Sequence, residues 1–301
     1  MKNIFVVGSI NKDYTISVEK LPLIGESKNG HHFVENQGGK GANQAIASKR
    51  LGNTNVYFIG AIGDDQNGKD LKCEIEKVGI DTSMLSVKKD INTGACLIIL
   101  DESVSDNMLV VDKGANNLLD VNDLIPLKEK ANKEDILIVQ LEINLNTLYE
   151  ALKIAKEKEM FVIFNPAPFV KIDEAYYKYI DLVVLNETEA YLSSSINVKN
   201  IEDGREVFNY FNQFNVKHLI ITLGGNGSYL FEDNVSKHFD AVKTKVVDTT
   251  AAGDTYIGAL AAKLAEGESL DEAIHYASKA SSITVSRMGA GKSIPSREEI
   301  K

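Results

Sequence analysis

The stretch DTTAAGDTY, residues 248–256, sets Ala251, Ala252 and Gly253, three residues with almost no side chain, directly before Asp254. Small residues let backbone N–H groups approach a ligand closely. A loop of such amides opening a helix is a place for an anion. A carboxylate beside that loop can take a proton from a group reacting there. Residues 241–247 read as a strand and residues 253–265 as a helix, so a strand–loop–helix unit is predicted around the loop.

Four further clusters carry polar groups at predicted strand or helix ends. GSINKD, residues 8–13, puts Ser9, Asn11 and Asp13 at alternate positions where the first strand leaves its sheet. Asn offers a donor and an acceptor and Asp accepts twice, which suits the adjacent hydroxyls of a sugar, although a plain strand-end turn is equally open. Lys12 should point the other way by alternation. GGKGANQA, residues 38–45, sets Gly38, Gly39, Lys40 and Gly41 before a helix whose first turn holds Asn43. QLE at 140–142 and LNETE at 185–189 end buried strands in amides or carboxylates. Polar groups gathered at several strand ends are how open α/β sheets build sites.

Two phosphate-like motifs fail on context. GAGKS, residues 289–293, has Ser286 where a P-loop needs glycine, and Ile294 and Pro295 follow in place of a helix. GGNG, residues 224–227, is followed by SYLF, so it joins two strands and is not a dinucleotide fingerprint. A nicotinamide oxidoreductase is therefore disfavoured. The five histidines (His31, His32, His218, His238 and His275) suggest neither a metal set nor a Ser–His–Asp arrangement.

The elements that must position these groups alternate along the chain. Strands are expected at 4–7, 56–59, 136–140, 161–164, 182–185 and 218–222, and helices near 42–51, 68–78, 147–158 and 202–214. From about residue 246 the chain turns helical, through 253–265 and 270–287. Apolar strands alternating with helices predict an α/β fold, with a mostly parallel central sheet covered on both faces. Residues 13–35 and 93–111 break the rhythm with alternating runs joined by Gly, Asn and Asp, and read as hairpins of a small β-sheet lid. The 301 residues show no linker, so one domain spanning 1–301 is expected, with the lid hairpins inserted.

Bulk properties narrow the function. The net charge of −10 disfavours nucleic acid as a partner, and an anionic ligand then needs a local device such as the 251–253 loop. No apolar run approaches the roughly 20 residues of a membrane span. Two cysteines make no disulfide framework, and Cys73 reads as a packing residue between Leu71 and Ile75. The opening KNIFVVG reads as a strand, not a signal peptide, and a cytoplasmic location is expected.

With these residues in hand, the chain resembles the PfkB/ribokinase family of carbohydrate kinases. The matching segments are GSINKD, GGKGANQA, NPAP at 165–168, LNETEA, TLGGNG, DTTAAGDTY and the closing SIPSREEI, and GGKGANQA points to the ribokinase branch. The resemblance implies a three-layer α/β/α fold and ATP-dependent phosphorylation of D-ribose at O5. It implies that Asn11, Asp13, Gly39, Lys40, Gly41, Asn43 and Glu142 hold the sugar, and that Asp254 is the general base beside an anion hole of the Ala251, Ala252 and Gly253 amides. Asn186 and the run Thr222, Leu223, Gly224, Gly225, Asn226 and Gly227 would flank ATP, with Gly253 and Ser278 also at the nucleotide. Asn186 and Glu189 match an NxxE motif that organises Mg2+ and phosphate. An activating monovalent cation, K+, would lie near Asp248, Thr250, Thr284, Arg287, Gly289 and Ser293, several of them through backbone carbonyls. Tyr256 departs from the family's usual Phe and should be tolerated within its helix. A homodimer through the lid is implied, and apolar runs such as CLIIL fit it. A kinase for 2-deoxyribose, fructose or a nucleoside is the alternative within the class, and a non-catalytic sugar- or nucleotide-binding regulator the alternative outside it.

Overall fold

A computed structural model of the chain describes residues 2–104 and 106–300. In chain order the elements are β1 (Ile4–Val7), β2 (Asn11–Val18), β3 (His31–Gly38), α1 (Lys40–Leu51), β4 (Val56–Gly63), α2 (Gln66–Lys77) and β5 (Leu85–Lys88). There follow β6 (Gly94–Asp101), β7 (Asp106–Asp112), α3 (Ile125–Lys130), β8 (Ile136–Val139), α4 (Leu145–Glu157), β9 (Phe161–Phe164) and β10 (Leu182–Asn186). The remainder is α5 (Glu187–Ser194), α6 (Ile201–Asn212), β11 (His218–Thr222), β12 (Ser228–Glu232), β13 (Val235–Phe239), α7 (Ala252–Glu266) and α8 (Leu270–Thr284).

The large sheet runs β13-β12-β11-β10-β9-β8-β1-β4-β5, parallel except where β12 pairs antiparallel with β11 and β13. Strands such as IFVV and ILIV are apolar at every position because both faces are covered. Ile4 and Val6 pack with α1, α7 and α8 on one face, while Phe5 and Val7 pack with α4 and α6 on the other. This is the expected three-layer α/β/α arrangement. No helix among the described residues is long and apolar enough to cross a membrane.

The residues expected to form a lid make a separate small sheet in the order β3-β2-β6-β7. Each predicted hairpin forms, and β2 runs parallel to β6, with Asn11 opposite Gly94 and Asp13 opposite Cys96. Ser105, within the predicted 93–111 hairpin, lies outside the described residues.

Three expectations need correction. Residues 241–247 form no strand; they leave β13 and cross irregularly to α7, and Val242 and Val246 line a cleft instead of pairing in a sheet. Their β-branched character serves that cleft wall. Cys73 is exposed, because Leu71 and Ile75 define the buried stripe of α2 and a residue two positions from each lies on the opposite side. Helix α8 stops at Thr284, short of 287, and the carbonyl of Val285 accepts the amides of Val247 and Asp248.

Candidate active site

The start of α7 is the centre of the site. Ala251 adopts a left-handed conformation (φ 60°), an unusual state for a residue with a Cβ and one that clusters at functional sites. The amide of Ala252 donates to the Thr249 carbonyl at 3.2 Å, and the first helical bond runs from the Thr255 amide to the Ala251 carbonyl at 2.8 Å. That geometry leaves the amides of Gly253 and Asp254 as the unbonded donors of the first turn. Gly253 is exposed, and a Cβ built on it would meet nothing within 4 Å. The space it faces is a cavity of about 190 Å³ lined by Lys40, Asn186, Glu189, Ala251, Gly253 and Asp254. Thr222, Thr249, Ala252 and Gly253 also line a neighbouring cleft of about 580 Å³, which reaches Gly224, Gly227 and Ser278.

Asp254 is buried at the inner end of the smaller cavity. Its Oδ2 accepts from Asn43 Nδ2 at 3.0 Å and its Oδ1 from Gln44 Nε2 at 2.9 Å, both side chains rising from the first turns of α1. Burial raises its pKa, and the Lys40 ammonium and the Asn43 and Gln44 amides work against that rise. Lys40 carries its own amide to Glu142 Oε2 at 2.9 Å, and the Ser9 hydroxyl donates to the same carboxylate oxygen. Burial disfavours the Lys40 charge, yet Asp254, Glu142 and Glu189 together raise its pKa. Asp13 is pushed up to about 7 by burial first, then by the Glu142 and Asp254 carboxylates. Asn11 is held by Asn116, whose Nδ2 donates to Asn11 Oδ1 at 2.8 Å. Lys12 turns away and pairs with Glu35 at 3.3 Å. Close backbone contact makes this convergence possible: a Cβ on Gly41 would sit 2.7 Å from the backbone of Gly8 and Ser9.

Asn186 caps α5, its Oδ1 accepting from the Glu189 amide at 2.8 Å, while Glu189 Oε2 accepts the Asn186 amide at 3.0 Å. Burial raises the pKa of Glu189. Leu223 and Asn226 belong to the tight turn between β11 and β12, closed by the Leu223 amide on the Gly227 carbonyl at 2.8 Å. Thr222 donates from its hydroxyl to the Leu185 carbonyl at 3.3 Å. The Tyr256 hydroxyl lies buried against Ser228 Oγ at 3.0 Å, so the larger ring finds a polar partner inside the helix layer.

The residues around Asp248 are stitched together, its carboxylate accepting the amides of Thr250 (2.9 Å) and Gly289 (2.8 Å). Thr284 commits its hydroxyl to Thr255 Oγ1 at 3.0 Å, Ser293 to the Ala290 carbonyl at 2.7 Å, and Arg287 pairs with Glu299. Asn116, Gln44 and the 241–246 wall were not singled out by sequence reasoning. Asn116 had no local signal, and Gln44 lay unmarked inside GGKGANQA.

The profile of the pfkB family carbohydrate kinases matches residues 1–297. The chain belongs to the PfkB family. Among its relatives it is 36% identical to the ribokinase of Staphylococcus aureus over 302 residues, covering 99% of this chain and 98% of that protein. It is 35% identical to the ribokinase of Haemophilus influenzae over 298 residues, covering 99% and 97%. PfkB-type structures superpose closely: the ribokinase of Thermotoga maritima at a TM-score of 0.88 and 35% identity covers 100% of this chain and 98% of its own. The Arabidopsis thaliana ribokinase solved with ribose and ATP reaches a TM-score of 0.91 at 28% identity, covering 99% and 97%.

Proposed function

We propose that this PfkB-family chain is a ribokinase, transferring the γ-phosphoryl group of ATP to O5 of D-ribose. The observation that carries the reading is the position of Asp254. One of its oxygens is held by Asn43 from the polar cluster of Asn11, Asp13, Lys40 and Glu142, while the amide-lined cleft opens directly beside it. Relatives at 35–36% identity over nearly their whole length carry the ribokinase name, which supports ribose as the sugar.

In this reading the sugar lies among Asn11, Asp13, Gly39, Lys40, Gly41, Asn43 and Glu142, with its terminal CH2OH toward Asp254. The nucleotide occupies the 580 Å³ cleft between the Thr222–Gly227 turn and Ser278. As O5 attacks, the O5–Pγ bond forms, the bond from Pγ to the β,γ-bridging oxygen breaks, and the hydroxyl proton passes to Asp254. An alcohol is a far weaker acid than a carboxylic acid, so the proton moves late and Asp254 first orients the nucleophile. The amides at the start of α7 meet the charge on the phosphoryl group, each such donor contributing roughly 2.7–4 kcal/mol in comparable sites.

Glu189 fits magnesium by its chemistry, a carboxylate facing the phosphate cavity beside Asn186, and a hard oxygen donor is what that ion takes. Bound with ATP, the ion supplies charge neutralisation at the β- and γ-phosphates. Asp248 ties the 284–293 turn to the 249–251 loop through the amides of Gly289 and Thr250. The K+ of this reading would lie beside that junction, where carboxylate and carbonyl oxygens are the chemistry it takes. The lid exposes Leu97, Met108 and Val110 on one face and Leu109 and Val111 on the other, which supports closure over the sugar and pairing with a second subunit.

The test is turnover on ribose, 2-deoxyribose, fructose and adenosine with ATP. Sugar-dependent ATP consumption with ribose preferred is expected. ATP consumption indifferent to sugar, or a preferred substrate other than ribose, overturns the assignment.

A further inference from the structure

Asp254 is gripped from two sides, and the two grips differ in kind. Asn43 reaches Oδ2 from the polar cluster assigned to the sugar, so its amide has other partners to serve. Gln44, one residue on in α1, is fully buried and reaches Oδ1 at 2.9 Å from beneath. Behind it, Gln140 Nε2 donates to Gln44 Oε1 at 2.6 Å, and Asn165 Oδ1 lies 3.4 Å from Gln44 Nε2.

Resting on the reading of Asp254 as general base, we propose that Gln44 is the positioning residue of that base, with Gln140 locking the direction of the Gln44 amide. An ionised carboxylate only accepts hydrogen bonds. Gln44 must therefore turn its NH2 end toward Asp254, which leaves its oxygen facing β8, where only a donor satisfies it. Gln140 presents that donor. Reversing either amide sets two acceptors face to face, so the order of the chain Gln140–Gln44–Asp254 is fixed end to end.

The fold keeps this arrangement at a visible cost. Gln140 Oε1 is buried without a hydrogen-bond partner among the described residues. A Cβ on Gly8 would sit 2.2 Å from that atom, so the absence of a side chain at residue 8 makes room for it. A buried acceptor left unsatisfied is unfavourable, and an apolar residue would fill the same volume without it. The amide at 140 is explained by what its nitrogen holds. With Oδ1 pinned from below, the plane of the Asp254 carboxylate is set independently of the sugar. The two donated hydrogen bonds also favour its ionised form.

The charged groups around Asp254 come from four other places: Lys40 at the start of α1, Glu142 after β8, Asp13 on β2 and Glu189 on α5. None changes in the test. Gln44→Met keeps length and volume and removes the donor. With ribose and ATP, kcat is expected to fall at least about tenfold while the ribose KM changes less than about threefold. The acid limb of the kcat–pH profile should move upward by at least about half a pH unit. Gln140→Met should give a smaller loss with the same upward shift. The double variant should be no slower than Gln44→Met alone, since both act through one contact.

An acid limb that stays in place overturns the proposal, even where kcat falls in step with thermal stability. Independent, multiplying losses in the double variant overturn the role of Gln140. Should Gln44→Met not fold, the pH profile of Gln140→Met decides by the same criterion. A wild-type protein that consumes no ATP with ribose sinks the underlying reading of the site, an outcome distinct from all of these.

Discussion

At the residue scale, Asp13 and Asp254 share one buried cluster, and burial raises the pKa of both. Asp254 receives two amide hydrogen bonds and faces Lys40, whereas Asp13 is raised to about 7 with carboxylates for neighbours. Asp254→Asn is expected to leave ribose affinity nearly intact, measured by calorimetry, and to cut turnover by about 100-fold or more. Near-normal turnover would remove Asp254 from the role. Asp13 gives a different pH signature. Its native pKa of about 7 lies above the ordinary value near 3.9, so between those pH values the folded state holds more protons than the unfolded state. Its contribution to stability is therefore present below the window and is lost as pH rises through about 7. Urea denaturation of the sugar-free protein should show Asp13→Asn gaining on the wild type from pH 5 to pH 8. The ribose KM of the wild type should rise as pH falls below about 7, because a protonated Asp13 accepts fewer hydroxyl hydrogen bonds.

At the element scale, glycines in the two site loops answer to different constraints. Gly253 faces open space, so Gly253→Ala should fold at least as well as the wild type, Ala being the better helix former by up to about 1 kcal/mol. The added methyl would occupy the phosphate cavity, and kcat should fall at least about tenfold at unchanged or higher melting temperature. Gly41 is pressed against the Gly8 and Ser9 backbone, so Gly41→Ala should destabilise by about 1–3 kcal/mol, read by denaturant midpoint. Sequence patterning located both loops because glycine and alanine runs before amphipathic helices are local signals. It misassigned 241–247, where β-branched residues wall a cleft, because local propensity carries no information on whether a partner strand exists. It missed β5 and β13 for the related reason that short, partly exposed strands lack a clear period.

At the scale of the whole molecule, the small four-stranded sheet exposes apolar side chains on both faces among the described residues. Leu97 stands opposite Val110 and Ile98 opposite Leu109, so the two faces alternate strictly and both carry exposed apolar side chains. A patch of this kind is what the proposed contact with a second subunit would cover. Placing Asp at both Leu97 and Leu109, one on each face, should convert the proposed dimer to monomers by analytical ultracentrifugation while the α/β body melts within a few degrees of the wild type. A wild-type protein that sediments as a monomer overturns the proposal of a dimer.

The sequence alone determined the alternation of strands and helices, the lid hairpins, and the loops that carry Asn11, Asp13, Lys40, Asn43 and Asp254. Each is written in a run of neighbouring residues, where period and turn chemistry act. Only the tertiary structure decided the parallel joining of β2 to β6, the support of Asn11 by Asn116 across 105 residues, and the Gln140–Gln44–Asp254 chain. Those contacts depend on which strand ends meet in space, and side chains distant along the chain leave no local pattern of their partnership.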